Sequence, residues 1–464
     1  MIELTLAEIA DAVGAQLFGD PELRVSASVE TDSRLVQPGS LFVAKPGEVT
    51  DGHLFVDSAR KSGAIAALVE HRVEVEIAQL VVADSVAALG KLAKFVIEKV
   101  RAESNLTVIG ITGSNGKTTT KNMLGAILAK FGPTVSPIES YNNEVGAPIS
   151  MLKIDYETKY LVVEMGADGP GSIAYLADIA KPDIGVILKV GLAHVGEFGD
   201  ISITAQIKGE LAQAIGPEGL LILNSDDSHV AAMANLSKAK TVWFGTHQAD
   251  YLASGQQLSL AGTSFDLHWP EAAIQPVSLK ILGEHHVMNA LAAISVADQL
   301  GLARETVIAA LEEMPLAERW RMELGKRSDG VYVINDAYNA SPESTKAALQ
   351  TLAHLGKSGH RTIAVLGEMA ELGSQSREQH DAIGRVAVRL NIDQVVVVGA
   401  GAKLIHMGAT QEGSWDGESK FFDEIDQAFD YLDGMLEPGD LVLVKSSKSA
   451  NLRFLGDRLL EVGQ

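Results

Sequence analysis

The chain has 464 residues, room for about three domains of roughly 150 residues each, which excludes a single small binding module. Hydrophobic residues make up 46% and charged residues 21%, an ordinary globular mixture that excludes wholesale disorder. With 60 acidic and 38 basic side chains the net charge is −22, which disfavours nucleic acid and anionic lipid as partners, and the absence of cysteine removes disulfides, thiolate metal sites and cysteine nucleophiles.

The N-terminus carries Glu3, Glu8 and Asp11 on a helical pattern, the opposite of a basic signal peptide, and no apolar run approaches the length of a membrane span. A cytoplasmic protein without membrane insertion is expected. Residues 1–103 read as a small α/β unit with a short helix, strands at 40–44 and 64–69, and a helix near 55–63 between them. Residues 101–105 are polar and aperiodic and read as a linker.

From residue 104 to 315, apolar strands alternate with amphipathic helices: strands at 107–112, 160–165, 184–189 and 220–223, helices at 117–131, 172–180 and 204–215. This alternation predicts a mostly parallel sheet covered by helices on both faces. Residues 251–282 turn strand-like, predicting an appended antiparallel strip, and helices at 287–300 and 304–314 close the unit. Residues 316–464 repeat the alternation, with strands at 331–334, 362–366, 394–398 and 441–444, and predict a Rossmann-like domain.

The strongest chemical signal is Gly110-Ile-Thr-Gly-Ser-Asn-Gly-Lys-Thr118, placed between a strand and a helix. A phosphate calls for backbone N–H groups, a helix N-terminus and a cation, and this segment supplies all three. Gly113 and Gly116 let the backbone wrap phosphates, with Ser114, Asn115 and Thr119 alongside. Lys117 reaches the β and γ oxygens of a nucleotide, and Thr118 offers a hydroxyl to Mg²⁺. Position 111, six before the lysine, is isoleucine where a generic phosphate loop has glycine. Glu164 ends an apolar strand, where it is either a solvated acid or an oxygen ligand for a hard cation.

The loop Gly-x-x-Gly-Ser-x-Gly-Lys-Thr resembles that of the Mur ligases and their folate-ligase relatives, which use ATP to activate a carboxylate and join it to an amine. The segments Val163-Glu-Met-Gly-Ala167, Gly191-Leu-Ala-His194 and Ala205-Gln-Ile-Lys-Gly-Glu210 fall where that family keeps metal ligands and a carbamylated lysine. The resemblance implies Glu164 and His194 as metal ligands. It implies Lys208 as a carbamate that orients or ligates metal; a partly buried lysine is more easily neutral, and only a neutral amine captures CO₂. An ordinary lysine with its stem packed against Ile207 and Leu211 is the alternative.

Further along, Gly283-Glu-His-His-Val-Met-Asn289 resembles the family's adenine-side motif, implying His285 and Asn289, with His286 standing where the family has asparagine. The resemblance also implies Arg321, with Arg319 as rival, as the arginine that reaches the γ-phosphate, and Asp336 as the acid that holds ribose hydroxyls. Near the N-terminus, Thr31-Asp-Ser-Arg34 resembles the family's uridine-diphosphate domain, implying Ser33, Arg34 and Lys45 as substrate contacts, and Tyr141-Asn142-Asn143 matches a loop near the acceptor peptide.

Two segments, Asp336-Ala-Tyr-Asn-Ala-Ser-Pro342 and Leu366-Gly-Glu-Met-Ala-Glu-Leu-Gly373, resemble those of the family member that joins D-alanyl-D-alanine to UDP-N-acetylmuramoyl-tripeptide; Tyr338 and Asn339 are the implied acceptor contacts. The implied protein is an ATP- and Mg²⁺-dependent amide ligase, a monomer of peptidoglycan synthesis. The rivals are a Mur or folylpolyglutamate-like ligase with another acceptor, and a P-loop ATPase that drives conformational switching. Lysine and diaminopimelate both remain open for the third residue of the tripeptide.

Overall fold

The structure, a computed structural model, describes every residue except 48–49, 138–139, 192–199, 315–318, 414–416 and 463–464. Its α/β architecture carries three main sheets, one in each third of the chain. In the first, Val29–Glu30, Leu41–Val43, Ala66–Val69 and Ala78–Val81 run parallel in that spatial order, and Gln16–Phe18 closes the edge antiparallel.

The helix Ser85–Glu103 joins this sheet to the next. Asp84 caps it by accepting the N–H groups of Val86 and Ala87, and its apolar face, Leu89, Leu92, Val96 and Val100, is fully buried. That face packs on the helix Ser172–Ala180, so the first and central units share one core. The expected linker at 101–105 is corrected in its first half: residues 101–103 are the last helical turn, held by Arg101, which pairs with Asp183 at 2.7 Å.

The central sheet has nine strands. Six parallel strands run inward from one edge, Thr134–Val135, Tyr160–Glu164, Thr107–Thr112, Ile184–Ile187, Leu220–Asn224 and Lys240–Gly245. Tyr251–Ser259 continues parallel, then Gly262–His268 and Ile274–Leu279 add the antiparallel strip expected from residues 251–282. Thr107–Thr112 lies between Tyr160–Glu164 and Ile184–Ile187, both parallel to it; the chain places Thr134–Val135 and Tyr160–Glu164 on one side of it, then crosses over to add Ile184–Ile187 and Leu220–Asn224 on the other. Ligands of open α/β sheets bind outside the carboxyl ends of strands at such a switch point.

The third sheet orders Glu323–Lys326, Tyr332–Asn335, Leu441–Lys445, Thr362–Leu366, Gln394–Val398 and Ser419–Phe422, with only the first pair antiparallel. The valine-rich strands are buried on both faces, which is why they read as continuous apolar runs. The expected boundary at residue 315 lies outside the described residues.

Candidate active site

Register places the chemistry. Glu164 pairs with Ile111 and Ile187 with Thr112, so the acid and the phosphate loop leave the carboxyl edge side by side. The loop turns into the helix Lys117–Leu128 through Gly116, whose φ of +87° is a left-handed conformation. A Cβ there would lie 2.3 Å from Asn289 Oδ1, so only glycine lets the loop close against the helix His285–Gln299.

Lys117 folds back, its Nζ donating to the Gly113 carbonyl at 2.7 Å. Burial and the nearby Arg321 push its ammonium below the usual lysine range, and Glu164 partly offsets them. Glu164 is 1% exposed; Asn142 Nδ2 donates to its Oε1 at 2.8 Å, while Oε2 is buried and has no hydrogen-bond partner among the described residues.

The third unit reaches into the same cleft through Arg321. Its Nη2 donates to the hydroxyls of Ser140 and Thr118 at 3.1 and 3.3 Å, and its guanidinium lies 4.1 Å from the centre of the Tyr338 ring. The flanking residues Trp320 and Met322 both hold positive φ, +66° and +52°, strain of the kind that a surrounding structure must enforce. Asp457 enforces it from one side by accepting from the Trp320 indole at 3.0 Å, and Asp336 from the other by accepting the Met322 N–H at 3.0 Å. Arg319 points elsewhere and pairs with Asp457 at 2.9 Å.

These groups line one cleft of ≈ 250 Å³, which gathers Ser114 to Thr119, Asn142, Glu164, His285, Asn289, Arg321, Asp336, Tyr338 and Asn339. A second cavity of ≈ 490 Å³ opens beside Gly116 and Asn289 and is walled by Leu188, Phe244 and Met288. Phosphate chemistry fits the first and an apolar ring the second.

The remaining expected residues fall as follows. His194 lies outside the described residues. Lys208, on the helix Ile201–Ala214, is 2% exposed, and burial together with Lys117 lowers its ammonium to about 7; it does not line the cleft. Asn143 accepts the N–H of Gly146 at 2.9 Å, just ahead of the short helix Gly146–Met151.

Ser33, Arg34 and Lys45 follow the adjacent parallel strands Val29–Glu30 and Leu41–Val43, away from the cleft; Arg34 pairs with Asp32 there. Asp336 is already committed, since Lys445, 2% exposed, donates to its Oδ2 at 2.6 Å. Sequence reasoning missed Ser140, which adjoins the Tyr141 loop, and Lys445, which ends the strand Leu441–Lys445.

The sequence matches the Mur ligase family catalytic domain over residues 26–108, the Mur ligase middle domain over 111–297 and the Mur ligase glutamate ligase domain over 320–448. The chain belongs to the Mur ligase family. It is 43% identical over 502 residues to the UDP-N-acetylmuramoyl-tripeptide–D-alanyl-D-alanine ligase of Mycobacterium tuberculosis, covering 99% of this chain and 98% of that one. The crystal structure of MurF from Acinetobacter baumannii superposes with a TM-score of 0.90 at 33% identity, covering 99% of both chains. MurF from Thermotoga maritima, solved with ADP, superposes with a TM-score of 0.81 at 28% identity, covering 94% of this chain and 97% of that one.

The donor set of this Mur ligase fits a hard divalent cation. Glu164 holds a buried carboxylate oxygen with no partner among the described residues, an arrangement that costs free energy unless a cation or donor meets it, and the Thr118 hydroxyl faces the same cleft. Among the described residues no cluster of three or more His, Asp or Glu side chains forms a complete cage. Mg²⁺ is commonly held by one or two protein oxygens plus substrate phosphates. Among the described residues no helix is long and apolar enough to cross a membrane.

Proposed function

We propose that the chain is an ATP-dependent, ADP-forming ligase that joins D-alanyl-D-alanine to UDP-N-acetylmuramoyl-tripeptide in the cytoplasm, acting as a monomer in peptidoglycan synthesis. The observation that carries this reading is the meeting of Lys117, Thr118 and Glu164 with Arg321 and Tyr338 in one cleft. Full-length similarity to ligases of that name supports the choice of substrates.

In this reading the terminal carboxylate of the tripeptide attacks the γ-phosphorus of ATP, ADP departs, and an acyl phosphate remains. The amine of the dipeptide then attacks the acyl carbon, phosphate leaves, and the amine proton is lost to form the amide. The N–H groups of the loop at 113–118 hold the nucleotide phosphates at the helix N-terminus. Lys117 exchanges its bond to the Gly113 carbonyl for phosphate oxygens, and Arg321 neutralises charge on the transferring group. Glu164 and Thr118 would hold Mg²⁺, which offsets phosphate charge when bound. Asn142 holds the Glu164 carboxylate in place, Asn289 faces both cavities and reads the base, and Lys208, once carbamylated, would supply an anionic oxygen toward the metal. Ser33, Arg34 and Lys45 contact the uridine diphosphate, and Tyr338 and Asn339 the dipeptide.

The test is phosphate release with ATP and UDP-tripeptides carrying lysine or diaminopimelate, against a panel of acceptors at matched concentration. D-alanyl-D-alanine should stimulate release far more than alanine, glutamate, lysine or diaminopimelate. A single amino acid outperforming the dipeptide would make the chain a different ligase, and full turnover without any acceptor would make it an ATPase.

A further inference from the structure

His286 occupies the cleft where the family motif has asparagine, and its geometry differs from that of its neighbours. It is 4% exposed, on the first turn of the helix His285–Gln299. Asn289 Nδ2 lies 3.2 Å from its Nδ1. An amide nitrogen only donates, so Nδ1 accepts and the ring proton sits on Nε2. That Nε2 is buried and has no hydrogen-bond partner among the described residues. A buried N–H without an acceptor is costly, and one aimed into a ligand cleft is matched when a ligand supplies the acceptor.

The two cavities decide which part of a nucleotide does so. His285 and Asn289 line both, whereas His286 lines only the cleft that holds Lys117, Thr118 and Arg321. We propose that His286 is a phosphate ligand, a neutral imidazole whose Nε2–H donates to a phosphate oxygen of the bound nucleotide and not to its base. Burial, reinforced by His285 and Arg321, holds the ring well below the usual histidine range, so it enters the site as a donor without adding a third positive charge beside Lys117 and Arg321. The proposal rests on the nucleotide occupying this cleft.

The test compares full-length wild type, His286→Leu and His286→Asn for binding of ADP, inorganic tripolyphosphate and adenosine by calorimetry or competition. His286→Leu should weaken ADP and tripolyphosphate by about tenfold to a hundredfold, the loss of one hydrogen bond to a charged group, and leave adenosine unchanged. His286→Asn, which restores a neutral donor, should recover part of the loss.

In ¹⁵N-histidine-labelled wild type, the His286 signal should report the Nε2–H tautomer and shift on adding tripolyphosphate; this readout does not depend on any variant folding. Unchanged ADP affinity in a folded His286→Leu protein, an equal loss for adenosine, or an Nδ1–H tautomer would overturn the assignment. Failure of wild type to bind ADP at all would instead remove the functional reading beneath it.

Discussion

Arg321 donates to the hydroxyl of Thr118 at 3.3 Å, across a sequence separation of 203 residues. The contact ties the third unit to the first turn of the helix that follows the phosphate loop. The same hydroxyl is the one proposed to hold Mg²⁺, so in that proposal the metal would compete for a group that now joins two parts of the chain.

Replacing Arg321 by alanine should cut phosphate release by about a hundredfold or more, the usual effect of losing a positioned charge at a transferring phosphoryl group. Arg319→Ala is the control. Its bridge to Asp457 is largely solvent-exposed on the arginine side, so its loss should leave turnover within about twofold. Equal losses in the two variants would point to a structural role for the whole turn at 319–323.

Lys117→Ala should abolish phosphate transfer while leaving the melting temperature nearly unchanged. The ammonium is held by one carbonyl and is disfavoured by burial, so its removal costs little folding free energy. Steady-state phosphate release and a thermal melt on the same preparation check both halves.

Lys208→Ala should lose activity, and a small carboxylic acid in the buffer should restore part of it by filling the vacated space with an anion. Lys208→Arg should remain inactive, because a guanidinium keeps its charge and forms no carbamate. Burial already lowers this lysine to about 7, so much of it is neutral and competent for CO₂ near neutral pH. An active Lys208→Arg enzyme would defeat the carbamate.

The Lys445–Asp336 pair predicts a stability effect separate from chemistry. Lys445→Met leaves the Asp336 carboxylate, which is 15% exposed, without its cation, and should cost about 3 kcal/mol. Urea unfolding followed by a probe in the third unit measures it. Adding Asp336→Leu should recover part of the loss, since removing both charges is far cheaper than removing one.

Contiguous sequence determined the parts of this protein whose physics is local. The phosphate loop was legible because backbone N–H groups, a helix start and a lysine must be neighbours in the chain to surround one phosphate, and the strand-end position of Glu164 followed from a run of buried residues. The alternation of strand and helix gave the α/β class, and the change of period gave the antiparallel strip. Several short edge strands, such as Glu323–Lys326 and Ser419–Phe422, were not legible, because partly exposed edges carry no continuous apolar run.

Tertiary structure alone decided the rest. Arg319 and Arg321 are indistinguishable by composition, and only the positive φ values of Trp320 and Met322, held by Asp457 and Asp336, send one to the cleft and the other to an outer ion pair. Lys445 and Asp336 are 109 residues apart and meet because their strands, Leu441–Lys445 and Tyr332–Asn335, are parallel neighbours. Whether a side chain is paired or buried without a partner among the described residues, as with His286 Nε2, depends on which distant elements fold against it; sequence spacing does not carry that information.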